Sequence, residues 1–295
     1  MFKANPKYER LFNYNLNWLS KNPNAIELLK ANPDLICWSH LSSNPAAIAL
    51  LEAENKHRLN WSALSKSPWA ISLLEQNMRW IDWANLSENP AAIHLLEANP
   101  ENIVWAYLSE NPAAIHLLEA NPENIVWERL SANPKAMHLL RANLNKISWP
   151  CLCNNTNPEA VKLLQMYPSR IHWGLLSANP SAIHLIEANM DKVDWALLST
   201  NSAAFHILKA NQDKISWLWL SKNPNPEAFD LVEANLSKLD WYGFLFANPN
   251  LKLYVYDYEK IRERFSTIHE EMIATIYHPD VMLDYLKKGI AADFY

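Results

Sequence analysis

Five histidines, His94, His116, His138, His184 and His206, share one slot of a repeated unit, with Lys162 interrupting the series. A row of imidazoles suggests metal ligation or proton sensing near neutral pH. Spacing argues against the first. Helices that stack repeat on repeat place equivalent residues roughly 10 Å apart. That is too far for two imidazoles to share a zinc at ~2.0–2.1 Å each. The same slot holds Glu27, Ala49, Ser72 and Asp230 elsewhere, so the row reads as a solvated helix face. One turn further on, Glu52, Glu75, Glu97 and Glu119 form an acidic stripe that Arg141, Gln165 and Lys209 break. Such a stripe selects a basic partner or simply keeps a face wet. Cys151-x-Cys153 lacks a second pair at zinc-ligand spacing, and Cys37 stands by itself. No nucleophile, base and orienting acid form a recognisable set, and there is no phosphate-cradling glycine loop. The expectation is a protein without catalytic residues, metal or cofactor.

The totals point the same way. The chain has 295 residues, 49% of them apolar, enough to bury a core. Only three residues are glycine, whereas β-rich and nucleotide-binding folds need glycine where φ is positive. Helices are therefore expected. A net charge of −5 gives no basic field for nucleic acid or anionic lipid. No apolar run approaches the ~18 residues of a membrane span, and the opening "MFKANPKYER" has no apolar signal region. With an odd number of cysteines, these features predict a protein kept in a reducing compartment and not secreted.

The elements that carry these residues come from a tandem repeat. "LSENPAAIHLLEANPENIVW" occurs at residues 86–105 and again, unchanged, at 108–127. Tryptophan marks the phase at Trp38, Trp61, Trp83, Trp105, Trp127, Trp149, Trp173, Trp195, Trp217 and Trp241, in steps of 22–24 residues. Leu16 fills the slot before Trp38. Each unit contains Asn-Pro twice. Proline keeps the preceding asparagine out of the α region, asparagine can cap the turn that follows, and proline at the first helical position gives up no hydrogen bond. Two helices per unit are thus predicted, in one copy Pro90–Ala98 and Pro100 to about Leu108. The first presents Ala92, Ile93, Leu95 and Leu96 on one face. Two-turn helices do not persist alone in water, so neighbouring units must complete the packing.

The resulting expectation is an all-α solenoid of about ten 22–24-residue two-helix repeats over residues 14–248. Residues 1–13 and 249–295 are read as helical caps, with helices expected over 5–12, 258–277 and the "DVMLDYLKKG" segment. Stacking at ~8–10 Å per step predicts a curved rod roughly 80–100 Å long, with indoles wedged between units. Asn201-Ser202 and Ser67-Pro68 depart from the motif, which leaves two helix starts unsupported.

One slot varies where the frame does not. It reads Trp18, His40, Ala63, Asn85, Tyr107, Arg129, Cys151, Leu175, Leu197, Trp219 and Gly243. Diverse residues on a regular frame can define a recognition surface, and Trp, Tyr and Arg are the types that carry binding energy. Trp18, His40, Asn85, Tyr107, Arg129, Leu175, Leu197 and Trp219 are the candidate partner-binding residues.

The tandem "LSxNPxAIxLLEANPxxIxW" motif resembles the tryptophan-rich repeat proteins of giant double-stranded DNA viruses, as does the closing "YDYEKIRERFSTIHEEMIATIYHPDVMLDYL". That resemblance implies a viral protein in the host cytoplasm or the virion, from a family without assigned chemistry. The expected role is a protein–protein interaction scaffold. It would be an adaptor for a host or viral protein or, alternatively, a capsid-associated strut, with neither nucleic acid nor membrane as partner.

Overall fold

In the computed structural model of the chain, residues 2–4, 16–239, 247–251 and 254–256 are described. Tyr14–Leu251 is an all-α repeat solenoid, and contacts separate it from a second unit made of Met1–Asn13 and Lys252–Tyr295. In the second unit, Phe2–Ala4 and Tyr254–Tyr256 pair as a short antiparallel ribbon, with Phe2 opposite Tyr256. The helices expected over 5–12, 258–277 and "DVMLDYLKKG" lie outside the described residues, as do Trp241 and Gly243.

The first Asn-Pro of a unit starts a helix as expected. Asn89 is extended, its side-chain oxygen accepts from Ala91 N–H, and a 3₁₀ turn over Pro90–Ala92 leads into the α-helix Ile93–Ala98. Both departures from the motif keep their helix. Ser67 precedes a turn over Pro68–Ala70 and the helix Ile71–Glu75, and Asn201 still caps Ala203 N–H ahead of Phe205–Ala210.

The second Asn-Pro behaves differently from the expectation. Asn99 donates its amide to Leu95 C=O, so it ends a helix and caps no new one. A single 3₁₀ turn follows over Pro100–Asn102, and Ile103 is extended. The α-helix restarts only at Trp105–Leu108. The predicted continuous helix is therefore two pieces. The break has a cause in the preceding repeat: Val104 N–H donates to Ser87 Oγ at 3.0 Å and is unavailable to a helix. Where the residue before tryptophan has a polar side chain, it can cap the restart, as Asn60, Asp82, His172 and Asp194 do.

Two polar ladders run through the core. Ser42, Ser65, Ser87, Ser109, Ser131, Ser177 and Ser199 are fully buried, and each Oγ accepts a backbone N–H from the next repeat. Cys153 takes this slot once, its Sγ accepting from His172 N–H at 3.4 Å. Beside the serines runs a ladder of buried asparagines. Asn111 caps Ala113 N–H and donates to Ser87 C=O and Asn89 C=O of the preceding repeat, both at 3.0 Å. Asn44, Asn133, Asn155, Asn179, Asn201, Asn223 and Asn248 each donate likewise to two carbonyls of the repeat before. Around the ladders pack fully buried leucines, among them Leu41, Leu64, Leu86, Leu108 and Leu130 of the Trp helices and Leu74, Leu96 and Leu118 of the Leu-Leu helices.

The indoles lie at the margin of this core. Trp61 is 8% exposed, but Trp38, Trp83, Trp105, Trp127, Trp149, Trp173, Trp195 and Trp217 are only half-buried. The wedge between units is leucine, serine and asparagine, residues small enough for close approach. Tryptophan covers the rim, and several of its rings are roofed by a cation from the next repeat.

The 14–251 unit also departs from the open rod expected of it. Asn22, the first asparagine of the ladder, donates to Asn248 C=O and Leu251 C=O, both at 3.0 Å, and Asn24 donates to Pro249 C=O. Residues 248–251 thus sit where the predecessor of the first repeat would stand, and the array closes on itself. Curvature explains why. In much of the array successive Trp helices pack directly on one another, as Trp61–Lys66 does on Trp83–Glu88 and Trp195–Thr200 on Trp217–Leu220, whereas the Leu-Leu helices are more widely spread. The array therefore bends toward its Trp-helix side, and eleven ladder slots completing a circle correspond to an average of about 33° per step. Closure covers both end faces of the array, which an open solenoid must leave to capping repeats.

Candidate functional site

Because the Trp helices are the closest-packed elements of a closed array, they line its inner side, and the variable slot is their third residue. Trp18 lies in Leu16–Lys21, His40 in Trp38–Leu41, Asn85 in Trp83–Glu88 and Tyr107 in Trp105–Leu108. Arg129 lies in Trp127–Leu130, Leu175 in Trp173–Ser177, Leu197 in Trp195–Thr200 and Trp219 in Trp217–Leu220. Arg129 is exposed and the other seven are half-buried.

Neighbours in the row touch across the repeat boundary. The rings of Trp18 and His40 are 4.7 Å apart, and His40 Nδ1 lies 3.1 Å from Asn17 C=O. The Arg129 guanidinium sits 5.4 Å from the Tyr107 ring centroid and donates to Glu110 at 3.0 Å. Hydrogen bonding to Glu110, and attraction to its charge, hold the guanidinium above the usual arginine range. Lys21 lies over Trp18 and Lys222 over Trp219. Asn85 is engaged locally: it donates to Asp82 at 2.8 Å. Burial pushes the Asp82 carboxyl up, but hydrogen bonds from Ser62 and Asn85 outweigh it and hold the group below its ordinary value. Leu175 and Leu197 add apolar surface to the row.

A second variable slot contributes, and the motif itself signals it. The residue between the ladder serine and the ladder asparagine reads Lys21, Ser43, Lys66, Glu88, Glu110, Ala132, Asn154, Ala178, Thr200 and Lys222. Lys66 pairs with Glu88 at 2.9 Å, and Glu110 pairs with Arg129. Both slots meet in an open groove of about 320 Å³ lined by Glu110, Glu128, Arg129, Ala132, Cys151 and Asn154.

The histidine row lies on the Leu-Leu helices. His94, His116, His138 and His206 each reach a glutamate of the preceding repeat, Glu75, Glu97, Glu119 and Glu187, at 2.7–3.0 Å. Each partner is about half exposed. Histidine row and acidic stripe are thus one feature, a series of exposed cross-repeat pairs. No group of three His, Cys, Asp or Glu able to hold a metal occurs among the described residues. Nor is any helix among them long and apolar enough to cross a membrane.

The fold and this surface define a class, the helical repeat proteins. No protein-family model, curated protein or solved structure matches this chain.

Proposed function

We propose that this protein is a non-catalytic protein-binding scaffold, a viral adaptor in the host cytoplasm that holds a host or viral protein against its Trp helices. One observation carries the reading. The frame residues repeat almost unchanged, while two slots, one on the Trp helices and one at or just past their ends, vary in size, charge and aromaticity and lie side by side from repeat to repeat. Half-buried Trp18, Tyr107 and Trp219 offer large rigid contact area, and Arg129 offers a charge-assisted donor set. Closure weighs against the capsid strut, because a strut spans distance through free ends and the repeat unit has none.

The test is affinity capture from infected-cell lysate with the parent protein and a Tyr107→Ala/Arg129→Ala variant of matched melting temperature. The expected result is a specific partner retained by the parent and lost with the variant. Equal capture by both removes this surface from consideration. Abundance of the protein in purified particles would favour the strut instead.

A further inference from the structure

The turns joining each Leu-Leu helix to the next Trp helix carry a second pattern. Three residues before the tryptophan, five successive repeats hold Lys146, Arg170, Lys192, Lys214 and Lys238, where the two repeats before them hold Asn102 and Asn124. All five cations are exposed, and none has a carboxylate partner among the described residues. Four of them lie over an indole of the preceding repeat. Lys146 is 4.5 Å from the Trp127 ring centroid, Lys192 4.9 Å from Trp173, Lys214 4.7 Å from Trp195 and Lys238 4.3 Å from Trp217. An ammonium resting on an indole keeps its charge toward water and has already lost much of its side-chain freedom. Less ordering is then left to oppose binding.

Apolar exposure falls on the same edge. Four large apolar side chains are exposed among the described residues, and three of them, Leu144 at 39%, Met166 at 71% and Tyr167 at 37%, lie within four residues of Lys146 or Arg170. A solvated basic edge has no need of them. Cations in line, with apolar side chains beside the first two, complement a chain that carries carboxylates and apolar residues together.

We infer that this turn edge docks an acidic, apolar-bearing peptide segment of a protein partner, with its carboxylates on Lys146, Arg170, Lys192, Lys214 and Lys238 and its apolar residues on Leu144 and Met166. Single-stranded nucleic acid fits less well. The indole faces that would stack bases are covered by lysine. Successive cations lie roughly 10 Å apart, too sparse to neutralise a dense run of phosphates. The inference stands apart from the variable row, which lies on different residues.

Fluorescence anisotropy with the full chain tests it, using a labelled synthetic peptide that alternates aspartate with leucine. Unlabelled polyglutamate and oligothymidine serve as competitors. The peptide should bind, its affinity should fall as salt rises, and Lys192→Glu/Lys214→Glu should weaken it about tenfold. Met166→Ser, at a side chain too exposed to support the fold, should weaken it about threefold. It therefore decides the matter if the charge-reversed variant melts early. Polyglutamate should compete more weakly than the unlabelled peptide. No binding, binding indifferent to Met166→Ser, or tighter binding of oligothymidine would each overturn the inference. The last outcome would assign the edge to nucleic acid.

Discussion

Asn111→Asp separates the two tasks assigned to the ladder asparagines. As helix caps, asparagine and aspartate are nearly equivalent. As ladder rungs they are opposites, because a carboxylate has no protons to give to Ser87 C=O and Asn89 C=O. The substitution leaves the cap to Ala113 N–H in place. Asn89 C=O keeps a second partner in Ala92 N–H, so it loses one bond of two. Ser87 C=O loses the bond from Asn111. With ~1–3 kcal/mol for each buried group left unpaired, and a charge placed in a fully buried position, the cost is about 3–5 kcal/mol at neutral pH. For a unit of this size that lowers the melting temperature by at least about 6 °C. The sign with pH follows from linkage. Burial and facing carbonyls raise the introduced carboxyl above its unfolded value of ~3.9. The variant is then least impaired below that value, where the carboxyl is protonated in both states, and its deficit grows as pH rises toward the folded-state value. Thermal melts followed by circular dichroism at pH 3.5 to 7.5 measure this. A variant that melts with the parent at neutral pH would show that the buried amide is only a cap and that no ladder holds the repeats together.

Closure predicts that Asn22→Asp costs about as much as Asn111→Asp in the same melts, since Asn22 also donates to two carbonyls. In an open array the first rung would be nearly free to change. Ser67 occupies the one ladder slot without asparagine and makes no cap bond. Ser67→Asn should therefore raise stability by about 1 kcal/mol in urea titrations, and destabilisation would contradict the proposed rung geometry. Trp61→Ala should cost about 3–5 kcal/mol, and Trp105→Ala, which removes a half-exposed ring, about 1–3 kcal/mol. The reverse order would contradict the burial pattern. The hydrogen bond from His206, with the nearby charges of His206 and His184, holds the Glu187 carboxyl below its ordinary 4.5. A depressed carboxyl stabilises the fold above 4.5 and loses that effect as pH falls below it. Glu187→Gln should flatten this small acid-side loss, and an unchanged acid limb would remove the pair from the stability account.

Much of the fold was legible because it rests on local chemistry. Asn-Pro at 89–90 predicts a helix start from the restrictions of proline and the acceptor of asparagine, and Leu95 and Leu96 are buried as their spacing requires. The second Asn-Pro misled because the same dipeptide stands in another context. Asn99 follows a finished helix, and its amide finds Leu95 C=O before any new turn exists. Tryptophan misled because regularity is compatible with either core or rim, and ring size favours the core only if nothing smaller holds the units together. Serine and asparagine do hold them, through contacts 17 to 27 residues apart that no local rule exposes. Pairing of the histidine row with the acidic stripe was hidden for the same reason: His94 meets Glu75, 19 residues back, not Glu97 on its own helix. The two 24-residue steps, Trp149 to Trp173 and Trp217 to Trp241, carry their extra residues at 154–160 and 222–228, where the two asparagine roles are pulled apart. There Asn155 serves the ladder while Asn157 caps a continuous helix over Pro158–Met166, and Asn223 and Asn225 divide the work in the same way.

Closure also bears on how such a chain can change. The identical stretches at 86–105 and 108–127 make unit duplication the natural step for this sequence. An open solenoid accepts another unit without strain, whereas a closed one must share the circle among more joints. The adjustment is small, because ten units need about 36° per step and eleven need about 33°. A difference of roughly 3° spread over every joint is well within the scatter of helix packing angles. The mating of first and last rungs, rather than an exact repeat angle, therefore selects the closed form. Each rung is donated by side chain to backbone, so the residues of the variable slots take no part in it. That separation lets Trp18, Tyr107, Arg129 and Trp219 differ freely while the frame that aligns them stays fixed, which is the property a recognition surface on a repeat frame requires.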